Sequence, residues 1–413
     1  MLSPYRVLDL TTERGVLCGQ ILGDLGADVI KIEPPGGAPA RRLGPFYRDT
    51  PNPNGSLFWW AYNRNKRSIT LDITSSDGRA ILRRLVASAH FLIESDTPGT
   101  LAAYGLGYDD LAALNPALVY VSITPFGQDG PKAHYADSDL IILAAGGPLV
   151  LTGDDDRPPV RVSVPQAYLH ASAEAAVAAL IAHHERQRSS RGQHVDVSAQ
   201  QAVAQATQSG ILATPLNADE FQRLSGGVRV GALIVRLVWP AQDGYVGILY
   251  LFGAALGPFT RRLMEWIYEE GFCDEATRDK NWLAYTELLF TGQEPIAEYE
   301  RLKLVVEAFT RTKTKAELFG AALARGLLIA PITTIAEVVD SPQLAARHYW
   351  QRLEHPELGQ AFRYPGAFAQ FSATPIAYRR RPPTVGEHNR EIYLGELGFT
   401  EKELGALQSR GVV

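Results

Sequence analysis

Five cations crowd two short segments of this 413-residue chain: Arg41 and Arg42 after the run Pro34-Pro35-Gly36-Gly37, and Arg64, Lys66 and Arg67 within Asn63-Arg64-Asn65-Lys66-Arg67-Ser68. Guanidinium groups on loops fork onto phosphate and stack on flat heterocycles, so such a set suits an adenosine carrying phosphates. Taken alone it reads more readily as ordinary surface charge. A second group lies on the alanine-rich stretch 164–188, where Gln166 and His170 are one helical turn apart. A neutral glutamine amide is no nucleophile. The only acidic side chain between Arg161 and Leu180 is Glu174, eight positions past Gln166 and so about 12 Å along a helix. His170 can share the face of Gln166, although a lone helix histidine is more often a packing or hydrogen-bonding residue. Gly146-Gly147 follows an apolar run and marks either a plain turn or a close backbone approach. Consecutive carboxylates at Asp154-Asp155-Asp156 point in different directions from a loop, and no metal site is expected.

The opening of the chain invites comparison with a dinucleotide fold: a strand, a glycine-bearing turn, a helix and a second strand ending in Glu33. The segment from Thr11 to Gly19 does not spell G-x-G-x-x-G, however, and Arg14 places a full side chain where a pyrophosphate needs bare backbone. No NAD site is expected.

Elements that would position these residues follow from periodicity. Strand patterns at 7–10, 28–32, 68–73, 91–94, 118–123 and 194–197 alternate with helical spacing at 15–26, 77–89 and 164–188, which predicts a parallel sheet covered on both faces. Ser163 is the expected N-cap of the 164–188 helix, with Pro165 in its first turn. Residues 228–239 and 245–250, around Gln242-Asp243-Gly244, predict an antiparallel hairpin, followed by helices to about 325. The tail from 331 has strand-like stretches and a closing helix at 401–410. This predicts an α/β architecture with a large domain from 1–224 and 331–413 and a small α+β domain from 225–330. Net charge is −5 with scattered basic residues, which excludes a general nucleic-acid binder. Cys18 and Cys273 are too few for a disulfide framework or a thiolate metal site. Without a leader pattern or a run of about 18 apolar residues, a soluble cytoplasmic protein with no membrane contact is expected.

Three runs, taken in order, carry a resemblance. They are Leu8-Asp9-Leu10 leading through Gly26-Ala27-Asp28-Val29-Ile30-Lys31-Ile32-Glu33 to the Pro-Pro-Gly-Gly loop, then Asn63 to Ser68 with Leu71-Asp72, and Gly386-Glu387-His388-Asn389. Together they resemble the family III CoA-transferases of the CaiB/BaiF, formyl-CoA transferase-like type. The resemblance implies a Rossmann-like large lobe built from both chain ends, a smaller middle lobe, interlocked dimers, and movement of coenzyme A between carboxylic acids. It places Arg41 or Arg42 and Lys66 along the coenzyme, adds Arg14, Arg67 and Ser95 as candidate contacts, and gives Gly146 and Gly147 a share of the acyl pocket. Many relatives read V-E-N-x-x-P-G where this chain has Ser95 in place of the asparagine, and a nearby arginine is matched by Ala103.

Transferases of this family attack the thioester with an aspartate at a helix start. At the corresponding place this chain reads Val164-Pro165-Gln166-Ala167-Tyr168-Leu169-His170, with no carboxylate. The racemases of the family need a histidine before the aspartate in the segment matching 135–139, and Ser138-Asp139 stands there instead. The stretch from Gln166 to Ala176 resembles the aspartate-lacking subunit of two-component relatives such as the benzylsuccinate CoA-transferases. The resemblance therefore implies acyl-CoA and a carboxylic acid as substrates, and an aspartate-bearing paralogue as partner. A homodimer that only binds coenzyme A, or an isomerase, lyase or racemase-like enzyme using other residues, is the alternative.

Overall fold

A computed structural model describes residues 1–216, 221–230 and 233–413. The chain forms two compact units, one of Met1–Leu149, Arg161–Glu220 and Gln343–Val413, the other of Val150–Val160 and Phe221–Pro342.

The first unit opens with β1 (Arg6–Asp9), α1 (Val16–Asp24), β2 (Asp28–Glu33), α2 (Leu57–Tyr62), β3 (Lys66–Thr70), α3 (Ser76–Val86) and β4 (Phe91–Glu94). It continues with α4 (Thr100–Ala103), α5 (Tyr108–Leu114), β5 (Val119–Thr124), α6 (Asp139–Ala145), α7 (Ala167–Ser189) and β6 (His194–Ser198). The six strands form one parallel sheet in the order β3-β2-β1-β4-β5-β6. Strand order reverses between β1 and β4, so the crevice beyond their carboxyl ends is where a doubly wound sheet accepts ligands. Successive residues of these strands feed opposite faces: Val7, Phe91 and Ile93 meet α1 and α7, while Leu8 and Leu92 meet α3 and α5. Each fully buried branched side chain contributes about 1.5–3 kcal/mol.

Alanine lets α7 lie close. Ala171, Ala175, Ala179 and Ala182 are buried against Val119, Val121 and the α1 side chains Cys18 and Leu22. The helix starts three residues later than the sequence predicts. Gln166, not Ser163, is the N-cap, and Pro165 lies outside the helix. Its cap comes from elsewhere in the chain: Asp139 Oδ1 accepts from the backbone N–H of Gln166 at 2.6 Å and of Ala167 at 2.8 Å.

The C-terminal end joins this unit without adding a strand to the six. It closes the open edge of β3 with side chains. His388 Nδ1 accepts from the Ser68 amide at 3.2 Å, Asn389 Oδ1 accepts from the Thr70 amide at 2.9 Å, and the His388 amide donates to the Ser68 carbonyl at 2.9 Å. Gly386-Glu387-His388-Asn389 is thus an edge clasp, which occupies the Ser68 and Thr70 positions where another strand would pair. Asn389→Ala removes the acceptor for Thr70 and a donor to its hydroxyl. Urea unfolding is expected to show a loss of about 1–3 kcal/mol. The closing helix, Glu401–Ser409, begins at a Thr400–Glu403 capping box.

In the second unit Val238–Ala241, Gly244–Ile248 and Ile329–Pro331 form an antiparallel sheet. Trp239, Tyr250, Trp282, Tyr285 and Phe309 fill the core between that sheet and helices such as Gly253–Glu269 and Ile296–Thr310. The long strand expected at 228–239 is divided: Gly227–Val230 pairs with Leu233–Arg236, and only Val238–Ala241 pairs across Gln242-Asp243.

Candidate active site

At the switch point the loop after β1 is tied to the loop after β4. Ser95 Oγ accepts from the Thr12 amide at 2.8 Å and lies 3.0 Å from the Thr12 hydroxyl. Arg14 leaves this loop toward the start of α7. Its Nη2 donates to Asp137 Oδ1 at 2.6 Å, and the Tyr168 hydroxyl donates to the other oxygen of the same carboxylate. Burial, then the neighbouring Asp137 carboxylate, pushes the Tyr168 phenol well above its ordinary value. Asp139, two residues from Asp137, caps the helix. Four segments far apart in sequence therefore converge: the β1 loop, Ser95, the 137–139 segment and the first turn of α7.

Sequence reasoning singled out Arg14 and Ser95, and the fold brings both here. It missed Tyr168, Asp137 and Asp139 as members of the site. Tyr168 sits two positions past Gln166, and the carboxylates lie about 30 residues upstream, so no local spacing signals their meeting. Gln166 itself turns its amide back to the Val164 carbonyl at 3.0 Å, and His170 is exposed on the helix surface.

Other expected coenzyme contacts occupy different environments. The Lys66 ammonium is buried, donating to Asp9 Oδ2 at 2.8 Å, the Val16 carbonyl at 2.7 Å and Asn63 Oδ1 at 2.9 Å. All three of its protons are engaged. Lys31 approaches the other oxygen of the same carboxylate at 3.0 Å. Burial alone would raise the Asp9 carboxyl, but the two ammonium groups outweigh it and hold it at about 2. Gly19 makes room for this triad, because a Cβ there would lie 2.3 Å from Asp9 Oδ2.

Arg41 is equally enclosed. It forks onto Glu33 at 2.6 and 2.7 Å, donates to the Pro53 and Pro383 carbonyls and Asn54, and stacks its guanidinium 3.6 Å from the Trp59 ring centre. Arg42, its neighbour, is exposed. Arg67 binds Asp28, Glu391 and Glu396, joining the sheet to the C-terminal segment. Gly146 lies where a Cβ would meet Val203 at 2.2 Å, and Gly147 has φ +98°. Both are needed for the α6 turn and its packing.

Glu94, the last residue of β4, is buried beside Ser95. Burial pushes its carboxyl up to about 7 against hydrogen bonds from Ser122 and the Asp96 amide. The folded state thus keeps a proton that the unfolded chain releases above its ordinary value of 4.5. The associated stability is full below 4.5 and is lost as pH climbs through 7. Glu94→Gln removes that loss, so denaturant titrations are expected to show it gaining about 3 kcal/mol relative to wild type at pH 8.5 and little at pH 4.

The family model described as CoA-transferase family III matches residues 2–389. The chain belongs to that family. It is 36% identical to succinyl-CoA:(R)-benzylsuccinate CoA-transferase subunit BbsE of Thauera aromatica, over all of this chain and 98% of that one. It is 33% identical to succinyl-CoA–D-citramalate CoA-transferase of Chloroflexus aurantiacus, again over all of this chain and 98% of the relative. A crystal structure of a CaiB/BaiF family protein from Brucella suis superposes with a TM-score of 0.81 at 28% identity, covering 95% of this chain and 98% of that one. The expected α/β fold and CoA-transferase activity are borne out. Substrates of the transferase are CoA thioesters and carboxylic acids. Among the described residues no group of three or more His, Cys, Asp or Glu could hold a metal ion, and no helix is long and apolar enough to cross a membrane.

Proposed function

We propose that this transferase is one subunit of a two-component enzyme and that an aspartate-bearing family member supplies the nucleophile. The observation that carries this reading is the occupancy of the first turn of α7. From Gln166 to His170 it has no carboxylate of its own, and the two that reach it come from the 137–139 segment, the second oxygen of Asp139 being buried without a hydrogen-bond partner among the described residues. Asp139 uses one oxygen to accept both backbone amides, and Asp137 is held at both oxygens by Arg14 and Tyr168. The name of the Thauera relative describes it as a subunit, which is consistent with this reading.

In the reaction the partner's aspartate attacks the thioester carbonyl and expels the CoA thiolate, leaving a mixed anhydride. The thiolate then attacks the aspartyl carbonyl, releasing the first acid and forming an aspartyl-CoA thioester. Attack by the second acid's carboxylate expels the thiolate again and leaves a second mixed anhydride. The thiolate attacks its acyl carbonyl, forming the new acyl-CoA and releasing the aspartate carboxylate. No proton or electron is left unbalanced. On this chain Ser95, Arg14 and exposed Arg42 are the residues we assign to the acyl-CoA. Lys66, Arg41 and Arg67 hold the scaffold that positions them. The test is CoA exchange between succinyl-CoA and a second acid, measured for this chain alone, for its aspartate-bearing paralogue alone and for the two co-expressed.

A further inference from the structure

The Arg14–Asp137–Tyr168 cluster has the chemistry of a ligand site filled by the protein itself. A planar guanidinium and a phenolic hydroxyl converge from two elements on the two oxygens of one carboxylate. Such convergence is how proteins hold a carboxylic acid ligand. The cradle is anchored: the Arg14 carbonyl accepts from Ser172 on the second turn of α7, 3.4 Å away, and Tyr168 is fixed by the helix itself. The occupant is not, for Asp137 lies in the irregular segment 135–138 before α6. Arg14 keeps 26% of its side chain exposed and Asp137 8%, so solvent reaches the cradle past the occupant. Charge also limits what can bind. With Asp137 in place a second anion meets its repulsion and that of Asp139 and Glu13, so the site accepts a carboxylate only by exchange for Asp137.

We propose that Arg14 and Tyr168 form the recognition site for the far carboxylate of a dicarboxylic substrate, and that Asp137 is an internal stand-in displaced when the substrate enters. This rests on the CoA-transfer reading and adds to it a substrate class and the residues that select it. A monocarboxylic acid has one carboxylate, needed for thioester formation, and nothing left for this cradle. The carboxylate is presented either by the free acid or by its CoA thioester.

Calorimetry on the full-length chain tests the exchange without any transfer step. Probes are free succinate, and succinyl-CoA against butyryl-CoA, each on wild type, Asp137→Asn, Arg14→Gln and Tyr168→Phe, with thermal unfolding as a check of folding. Removing the occupant's charge in Asp137→Asn is expected to tighten succinate or succinyl-CoA about tenfold or more, the scale of one charge-assisted hydrogen bond. Butyryl-CoA, which offers no free carboxylate, stays unchanged. Arg14→Gln loses the preference for the dicarboxylate altogether, and Tyr168→Phe loses part of it. Tightening of succinate assigns the site to the free acid, and tightening of succinyl-CoA alone assigns it to the thioester. Equal or weaker dicarboxylate binding by folded Asp137→Asn, or a preference that survives Arg14→Gln, overturns the proposal. Should Asp137→Asn fail to fold, the wild-type preference and its loss in Arg14→Gln decide the matter. Failure of CoA exchange with the partner, by contrast, leaves these binding ratios untouched and counts only against the divided-labour reading.

Discussion

Asp9→Asn is expected to destabilise the first unit by about 3–5 kcal/mol in urea unfolding, the cost of leaving buried charge without its counter-ion. Asp9 is fully buried and is the carboxylate shared by Lys31 and Lys66, which are themselves completely enclosed. Asparagine fills the same space but leaves two ammonium groups facing each other in the sheet. Lys66→Met is expected to cost less, because Asp9 keeps Lys31 as its partner. The triad also sets acid sensitivity. Its carboxyl is held at about 2, below the ordinary 3.8, so its contribution is full above 3.8 and is lost as pH falls through 2. Asp9→Asn flattens that part of the stability profile. A loss under about 1 kcal/mol would mean that water or a proton already relieves the triad.

Much of this fold is legible in the sequence because its signals are local. Alternation of short apolar strands with amphipathic helices fixes the parallel sheet. The roles of the conspicuous cations are not legible. Lys66 looks like a free loop charge because its partner Asp9 sits on β1, beyond β2 in the sheet, and strand order is not written in any one segment. Arg41 folds back onto Glu33, eight residues upstream, through a loop whose path the sequence does not show. The start of α7 is obscured for the same reason. Ser163 is a good local cap, but a proline two residues later favours an extended approach, and Asp139 supplies a better cap from another element. The Gly-Glu-His-Asn run reads as a motif of unknown chemistry until the edge of β3 is seen beneath it.

The second large effect concerns catalysis. Alone, this chain is expected to exchange CoA on the order of a thousandfold or more slowly than the co-expressed pair, the scale on which enzymes fall when a nucleophile is removed. Weak background exchange is compatible with that, since binding and orientation survive loss of the attacking group. Gln166→Asp restores a carboxylate to the helix start but places it on a side chain that now turns outward to Val164, so little activity is expected from it.

Mapping the covalent intermediate addresses divided labour most directly. The co-expressed pair is incubated with succinyl-CoA, treated with hydroxylamine or borohydride, and digested for mass spectrometry, with this chain alone as the control. The modified residue is expected on an aspartate of the partner, with no peptide of this chain altered. A hydroxamate or reduced carboxyl on this chain, at Asp137 above all, accompanied by exchange activity without a partner, would contradict divided labour and make this subunit a complete transferase.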